Sequence, residues 1–270
     1  MNRLGVLGWP VAHSRSPALQ NAALRAAGLD DWHYQLLPVP PELLQETVRG
    51  LPAAGFRGAN VTIPHKQAAL ALADEVSARA GTIGAANTLL FRDGGRVWAD
   101  NTDAPALTQA IAERVRISGS TVVVLGAGGS ARAAVWALRD AGAADVAIWN
   151  RTPARARELA SALGGRAVSD PLSTADILIN CTSVGLHDED QLEALPLSTR
   201  SLDSYRVVVD FVYREGGTPL TRMAQASGVP AIDGLELLVG QGALAFELFT
   251  GKAAPVQAMR DAVGLSAPTI

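Results

Sequence analysis

Short apolar runs alternate along the chain with longer stretches in which apolar residues recur at helical spacing. In residues 1–103 this alternation predicts an α/β domain, because strands and helices follow one another in turn. Ser16 is predicted to cap the first helix, with Pro17 at the first helical position. The predicted elements are strands at Leu4–Gly8, Tyr34–Val39 and Gly58–Pro64, helices from Ser16, Pro41 and His65, and a hairpin around Asp93-Gly94-Gly95.

Residues 104–233 repeat the alternation with more regular spacing. A helix through about Arg116 is expected to link the two domains. It is followed by four apolar strand candidates, which begin near Thr121, Asp145, Ile177 and Val207. Strands separated by helices pair in parallel through right-handed crossovers, which predicts a Rossmann-like, doubly wound domain. Residues 234–270 form two further predicted helices. The first of them is apolar on nearly all sides and is expected to pack back on the first domain.

A glycine-rich turn follows the first strand of that second domain and precedes a run of good helix formers. Such a strand, turn and helix start form a phosphate cradle, because glycine lets the backbone approach a pyrophosphate and the helix N-terminus offers N–H donors. The turn is not a strict G-x-G-x-x-G, since Arg132-Ala133 stand where a final glycine would be. A purely structural turn is the alternative. The cofactor residues expected there are Gly126, Ala127, Gly128, Gly129 and Ser130.

The next strand ends where an adenosine ribose is usually bound. An acidic residue there suits a free 2′-hydroxyl, whereas arginine suits a 2′-phosphate. The chain has Asn150, Arg151 and Thr152 at this point, with Arg155 one helical turn later. We therefore predict NADP rather than NAD. An exposed helix start, with Thr152 as N-cap and Pro153 following, is compatible with the same residues.

Composition narrows the functional classes. Hydrophobic residues make up 48% and charged residues 18% of the 270 positions, as in a globular protein. A net charge of −3 argues against a nucleic-acid surface. The single cysteine fits a reducing compartment, and neither a signal-peptide pattern nor a long apolar run is present, so a cytoplasmic location without membrane contact is expected. The histidines lack metal-ligand spacing, so no metal is predicted.

Polar side chains collect at the strand ends and turns of the first domain. In open α/β sheets, ligands bind beyond the carboxyl ends of the strands. Hydroxyls, an amide, an amine and a carboxylate suit a small polyhydroxylated molecule, and the two serines beside a helix start could bind its carboxylate. Structural roles are the alternatives: a helix cap for Ser16 or Asp103, and a surface position for Lys66. The candidates are Ser14, Ser16, Thr62, Lys66, Asn87 and Asp103.

Motifs spread over nearly the whole chain together resemble those of the shikimate dehydrogenase family. In the first domain they include Gly8-x-Pro10-x-x-His13-Ser14-x-Ser16-Pro17 and Asn60-Val-Thr62-Ile-Pro64-His-Lys66. In the second they include Gly126-Ala-Gly-Gly129 and Asn150-Arg151-Thr152. The other matching segments are Gly84–Thr88, Asp100–Asp103, Asn180–Gly185, Asp210–Tyr213 and Gly234–Gln241.

The resemblance implies reversible, NADPH-dependent reduction of 3-dehydroshikimate to shikimate, in the biosynthesis of chorismate and aromatic amino acids. It makes Lys66 the acid/base group and Asp103 its partner. It assigns the substrate carboxylate to Ser14 and Ser16, and the nicotinamide neighbourhood to Phe211 and Gly234. The residues it assigns to the ring hydroxyls and neighbouring groups are Thr62, Asn87, Tyr213 and Gln241.

Four points stay open on the sequence alone. Lys66 either transfers a proton itself or polarises the carbonyl while water delivers the proton, because burial favours a neutral amine and a nearby carboxylate favours the cation. A paralogue that also accepts quinate or NAD is a second reading, against which the serine pair and Arg151 argue. A non-catalytic NADP-binding module is a third, and the Lys66/Asp103 pair argues against it. The oligomeric state, monomer or homodimer, is not determined.

Overall fold

A computed structural model describes residues 1–170, 175–186, 192–197 and 199–265. The chain divides into two compact units. Unit 1 comprises Met1–Thr102 together with Leu238–Ile270, and unit 2 comprises Asp103–Leu237. Each unit is built around its own six-stranded sheet.

Unit 1 has a mixed sheet with the strand order β2-β1-β3-β5-β6-β4. The first three neighbours in that order are parallel, whereas β5 pairs antiparallel with both β3 and β6. The hairpin expected around Asp93-Gly94-Gly95 is therefore confirmed. The strands are β1 (Asn2–Gly8), β2 (Trp32–Pro38), β3 (Phe56–Val61), β4 (Glu75–Val76), β5 (Thr88–Phe91) and β6 (Val97–Asp100).

Four helices lie within the first 102 residues, and two of them differ from the sequence-based expectation. The helix expected over Pro41–Leu51 begins as a 3₁₀ turn at Pro41–Leu43 and continues as α2, and α4 was not predicted because its six residues are too short to show a period. The helices are α1 (Ser16–Ala26), α2 (Leu44–Gly50), α3 (Lys66–Ala71) and α4 (Ala78–Ile83).

The predicted cap of α1 is wrong. The helix begins at Ser16, and Arg15 occupies the N-cap position without a side-chain cap bond. The Ser14 hydroxyl instead accepts a hydrogen bond from the Ser16 backbone N–H at 3.3 Å. The hydroxyl nearest the helix start thus belongs to Ser14, two residues before the helix, where the Ser14 backbone N–H donates to Val11 O.

Unit 2 contains an all-parallel sheet with the strand order β12-β11-β10-β7-β8-β9. The order reverses between β7 and β10, which confirms the Rossmann-like, doubly wound prediction. The two-residue edge strands β9 and β12 were not predicted because they are too short to show a pattern. The strands are β7 (Thr121–Leu125), β8 (Asp145–Trp149), β9 (Arg166–Ala167), β10 (Ile177–Asn180), β11 (Val207–Asp210) and β12 (Ala231–Ile232).

Helices cover the sheet of unit 2 in the intervals between strands. The linking helix ends at Ala112, four residues before the predicted Arg116. Central strands β7, β10 and β11 are buried at nearly every residue, as expected of a parallel sheet with both faces covered. The helices are α5 (Asp103–Ala112), α6 (Gly129–Asp140), α7 (Pro153–Leu163) and α8 (Pro219–Ala226).

The last two helices are α9 (Gly234–Thr250) and α10 (Val256–Ala262). From Leu238 onward they belong to unit 1, where α10 packs against α1 and the Gln20 side-chain amide donates to Gly242 O at 2.9 Å. This confirms that the C-terminal helices return to the first domain. Although α9 is apolar, no helix in the described ranges is long and apolar enough to cross a membrane.

Candidate active site

The carboxyl ends of β1 and β3 lie side by side in unit 1. Thr62, directly after β3, donates its backbone N–H to Leu7 O at 2.8 Å, and it reaches the glycine that ends β1 closely enough to exclude a side chain there. The loop after β1 carries Ser14 and Ser16 into α1, and the turn after Thr62 leads to Lys66. Four predicted substrate residues therefore follow from adjacent strand ends.

Asn87 lies just before β5, whose first residue pairs with Asn60 of β3. The Asn87 side chain is only 2% exposed, and its Oδ1 accepts the backbone N–H of Thr102 at 2.8 Å. A backbone N–H can only donate, so the amide oxygen must face Thr102 and the amide nitrogen is oriented away from that N–H. Nδ2 then donates to Thr102 Oγ1 at 2.9 Å and to Gln241 Oε1 at 3.4 Å.

Gln241 comes from α9 and is separated from Asn87 by 154 positions. Its own Nε2 donates to Leu238 O at 2.8 Å, one turn earlier in the same helix. The structure thus brings together two predicted substrate residues that no local sequence pattern relates. Asn87 is the amide donor, and the Gln241 amide is held by a bond within its own helix.

Lys66 is the first residue of α3, and Asp103 is the first residue of α5. The backbone carbonyl of Lys66 accepts the Ala86 N–H at 2.8 Å, which ties the start of α3 to the segment that carries Asn87. Asp103 is 7% exposed and directly follows Thr102, which is bonded to Asn87. A carboxylate in the first helical turn is favoured by the helix dipole, whereas a lysine there is not.

In unit 2 the glycine-rich turn lies at the point where the strand order reverses. Gly126 has φ +111°, and a Cβ on it would lie 3.0 Å from Cys181 O, just after β10. Its N–H donates to Trp149 O at 2.7 Å, so the turn is anchored to β8 as well. Gly128 is the N-cap of α6 and has no side chain with which to cap the helix amides.

The end of β8 carries the predicted ribose-binding residues. The Asn150 side chain donates to Thr152 O at 2.9 Å and so shapes the turn into α7. Thr152 is the N-cap of α7, as expected of an exposed helix start, but no hydrogen bond from its side chain caps the helix. The side chains of Arg151 and Arg155 are exposed, and neither forms an ion pair with a residue that the structure describes.

Phe211 and Tyr213 follow β11, and Gly234 begins α9. A Cβ on Gly234 would lie 2.7 Å from Phe211 O and 2.6 Å from Val212 O, so only glycine permits this approach. The Gly234 N–H also donates to Val212 O at 3.3 Å. Two residues predicted to lie by a nicotinamide are therefore in close backbone contact, on the same edge of the sheet as the glycine-rich turn.

Comparison with known proteins supplies the family. Residues 6–89 match the model of the shikimate dehydrogenase substrate binding domain, residues 106–210 the shikimate / quinate 5-dehydrogenase model, and residues 234–263 the shikimate 5′-dehydrogenase C-terminal domain. The NADP(+) shikimate dehydrogenase of Thermus thermophilus is 44% identical over 264 residues, which cover 97% of each chain. The chain belongs to the shikimate dehydrogenase family.

Solved structures agree with this assignment to the shikimate dehydrogenase family. A crystal structure of shikimate dehydrogenase from Aquifex aeolicus superposes with a TM-score of 0.90 at 35% identity and covers 98% of both chains. The Thermus thermophilus enzyme in complex with NADP(H) and shikimate superposes with a TM-score of 0.85 at 43% identity, covering 97% of this chain and 98% of that one.

A buried polar cluster at the end of β11 was not among the site residues predicted from the sequence. The Asp210 carboxylate accepts hydrogen bonds from the Val212 N–H at 3.0 Å, the Asn180 amide at 2.9 Å and the Thr218 hydroxyl at 2.6 Å. Burial nevertheless raises the pKa of Asp210 to about 6, against the effect of those three donors. The sequence signal for this cluster was that two apolar strands each end in a polar residue, Asn180 in β10 and Asp210 in β11.

A second missed cluster lies behind Asn87. Asn60 and Thr88, side by side on β3 and β5, are 6% and 0% exposed and bond to one another and to Asn87. Asn60 belongs to one of the family motifs, but the resemblance assigned it no role. Its signal is an amide in an otherwise apolar strand.

The residues of unit 2 fit a dinucleotide phosphate. The left-handed φ of Gly126, its close approach to Cys181 O and the uncapped start of α6 together make a backbone cradle with helix N–H donors. The two exposed guanidinium groups after β8 have the charge that a 2′-phosphate requires. These residues therefore fit NADP.

Proposed function

We propose that the chain catalyses the reversible, NADPH-dependent reduction of 3-dehydroshikimate to shikimate. The observation that carries the proposal is the contact between Asn87 and Gln241 at the strand ends of unit 1, in a chain that is 44% identical over nearly its full length to a shikimate dehydrogenase. A fold match alone would not suffice, because Rossmann-like domains support many reactions.

The substrate carboxylate is held by Ser14 and Ser16 at the start of α1, where helix N–H groups and hydroxyls favour an anion. Asn87 contributes to a ring hydroxyl the N–H that otherwise makes the longer bond to Gln241 Oε1, because its amide oxygen accepts from Thr102 and its other N–H donates to Thr102 Oγ1. Thr62, Gln241 and Tyr213 complete the contacts to the ring hydroxyls and neighbouring groups.

Lys66 and Asp103 manage the proton at the reacting oxygen. The Nζ of Lys66 donates a hydrogen bond to the carbonyl oxygen and stabilises the charge that develops there. Asp103 accepts a hydrogen bond from the neighbouring hydroxyl and keeps the ring in register with Lys66. Bound NADPH supplies the hydride.

The cofactor is bound by the backbone of Gly126, Ala127, Gly128, Gly129 and Ser130 around its pyrophosphate. Asn150, Arg151, Thr152 and Arg155 bind the adenosine end, with the guanidinium groups on the 2′-phosphate. Phe211 and Gly234 border the nicotinamide, where the close backbone contact leaves no room for a larger residue at position 234.

Steady-state oxidation of shikimate by the purified chain tests the proposal. Turnover is expected with NADP⁺, a much lower kcat/KM with NAD⁺, and a lower kcat/KM for quinate than for shikimate. A preference for NAD⁺ contradicts the cofactor assignment, and a preference for quinate contradicts the substrate assignment. Cofactor binding without turnover of either acid would support a non-catalytic module instead.

Replacing Arg151 tests the 2′-phosphate contact separately. The Arg151→Ala variant is expected to raise the KM for NADP⁺ about 10- to 100-fold, because one or two charge-assisted hydrogen bonds to the phosphate are lost. The KM for NAD⁺ should hardly change. Arg157→Ala, which removes an exposed arginine of α7, the helix that follows Arg151, serves as the control. Equal effects on both cofactors would show that Arg151 does not read the phosphate.

We further propose a cytoplasmic enzyme that works as a monomer or homodimer on a small-molecule substrate. Cys181 is the sole cysteine, as expected where thiols stay reduced. Sedimentation equilibrium of the full chain, with and without NADP⁺, measures the oligomeric state.

A further inference from the structure

The orientation of Asn87 is reinforced by a hydroxyl next to it in the chain. Thr88 Oγ1 donates to Asn87 Oδ1 at 3.0 Å, beside the Thr102 backbone N–H that bonds to the same oxygen. A hydroxyl has one proton to give, and the other oxygen near Thr88 Oγ1, Thr102 Oγ1, is farther away at 3.5 Å. A group that donates to Thr88 Oγ1 leaves this proton for the shorter contact, to Asn87.

Asn60 is that donor. Its Nδ2 lies 3.2 Å from Thr88 Oγ1 and also 3.2 Å from the backbone carbonyl of Asn87. The carbonyl accepts only, so a flipped Asn60 would set two oxygens against each other. The Asn60 nitrogen must face Asn87 and Thr88, and its Oδ1 must face the opposite way, towards β2.

Tyr34 of β2 meets that oxygen. Its hydroxyl donates to Asn60 Oδ1 at 2.8 Å, and the residue is 1% exposed. The backbone of Tyr34 is held in turn by the Asn21 side chain, which accepts its N–H at 2.9 Å and donates to its carbonyl at 2.8 Å. The aromatic ring is thus fixed at both its backbone and its hydroxyl.

The hydrogen bonds run in one direction across the sheet of unit 1, from β2 past the intervening β1 to β3 and β5. Tyr34 donates to Asn60, Asn60 donates to Thr88, and Thr88 donates to the oxygen of Asn87. Each bond is buried, where an unpaired polar atom is costly and neighbouring bonds polarise one another. Asn87 Nδ2 is left facing Gln241.

We infer that Tyr34 and Asn60 are positioning residues for substrate binding, which act through Thr88 to present the Asn87 amide as a donor beside Gln241. The inference rests on the proposed function, in which Asn87 and Gln241 bind ring hydroxyls.

The Tyr34→Phe variant removes one oxygen atom from the start of this relay. It leaves Asn60 Oδ1 without that donor, so the Asn60 amide is held only by its bonds to Asn87 O and Thr88 and is positioned less firmly. The KM for shikimate is expected to rise about three- to tenfold, as for the loss of one neutral hydrogen bond, while the KM for NADP⁺ stays at the wild-type value. Tyr205→Phe, which removes a buried tyrosine hydroxyl in unit 2, is the matched control and should change neither KM.

A double-mutant cycle separates positioning from mere stabilisation. Thr88→Val interrupts the relay downstream with a side chain of the same shape, and it also tests the relay by itself. If the relay passes through Thr88, the double variant Tyr34→Phe/Thr88→Val raises the KM for shikimate no further than Thr88→Val alone.

Three outcomes would overturn the inference: an unchanged KM for shikimate in Thr88→Val, an unchanged KM in Tyr34→Phe with only a lower Tm, or additive effects in the double variant. Absence of shikimate oxidation in the wild-type chain is a different result, which contradicts the proposed function itself. Circular dichroism and NADP⁺ affinity of each variant verify that unit 2 is intact.

Discussion

The Asn87 amide is oriented by a group whose hydrogen-bonding role cannot change, the backbone N–H of Thr102. Residue type alone would let Asn87 present either its oxygen or its nitrogen to a ligand. The 2.8 Å contact to Thr102 removes that choice. In the proposed function, a substrate hydroxyl would therefore meet a donor at Asn87, beside Gln241.

Lys66 is expected to contribute to the chemical step more than to substrate binding. Lys66→Ala should lower kcat about 10²- to 10⁴-fold, the usual contribution of a positioned acid or base, with little change in shikimate affinity. Lys252→Ala removes the other lysine of the chain, which is exposed and donates to Ala27 O, and should leave kcat unchanged. Steady-state kinetics measure both variants. If the Lys66→Ala variant oxidised shikimate with the kcat of the wild type, the proposed role of Lys66 in the chemical step would be refuted.

The β7–α6 turn shows how an element depends on one backbone conformation. Gly126→Ala places a Cβ 3.0 Å from Cys181 O at φ +111°, which L-residues rarely adopt. We expect a loss of about 1–3 kcal/mol in the free energy of unfolding. Gly128→Ala is the matched control for stability, because its φ is −89° and a Cβ there would meet nothing within 4 Å. Urea unfolding of both variants measures the difference, and equal stabilities would contradict the strain.

Much of the element pattern could be predicted from the sequence. The long apolar strands and the doubly wound order of unit 2 follow from local periodicity, and α7 (Pro153–Leu163) begins where the Thr152-Pro153 pair predicts a helix start. Helix α4 and the strands β4, β9 and β12 were missed, because two to six residues carry no readable period. The cap of α1 was misassigned, although its start at Ser16 was predicted, because the Ser14 hydroxyl accepts the Ser16 N–H, which a capping rule based on residue type does not foresee.

For the molecule as a whole, the buried carboxylate of Asp210 links stability to pH. Its pKa is about 6 in the native state, against an ordinary value of 3.8 for an aspartate in water. Between these values the native state binds the proton more tightly than the unfolded state, so this group lowers stability as pH rises from 4 to 6. The cost reaches its full size above pH 6.

Asp210→Asn is expected to remove this dependence. Urea unfolding should show that the wild type loses stability relative to the variant by up to about 1.4 kcal/mol for each pH unit crossed between 4 and 6. The comparison is needed because Asp74 and Asp176, whose pKa values are lowered mainly by backbone hydrogen bonds to Val97 and Thr121, act in the opposite direction. Asp203→Asn, at an exposed position, is the control. A constant difference between wild type and Asp210→Asn would contradict the prediction.

The strands, the glycine turn, the arginines after β8 and the polar residues at strand ends could all be predicted from local patterns, because each depends on neighbours within a few positions. The contact of Asn87 with Gln241 across 154 positions, and the atom of Asn87 that makes it, are evident only from the tertiary structure. It also decided that Tyr34 and Asn60 stand behind that amide and that Asp210 is buried. Hydrogen-bond direction and burial arise from packing between distant segments, and no local pattern encodes them.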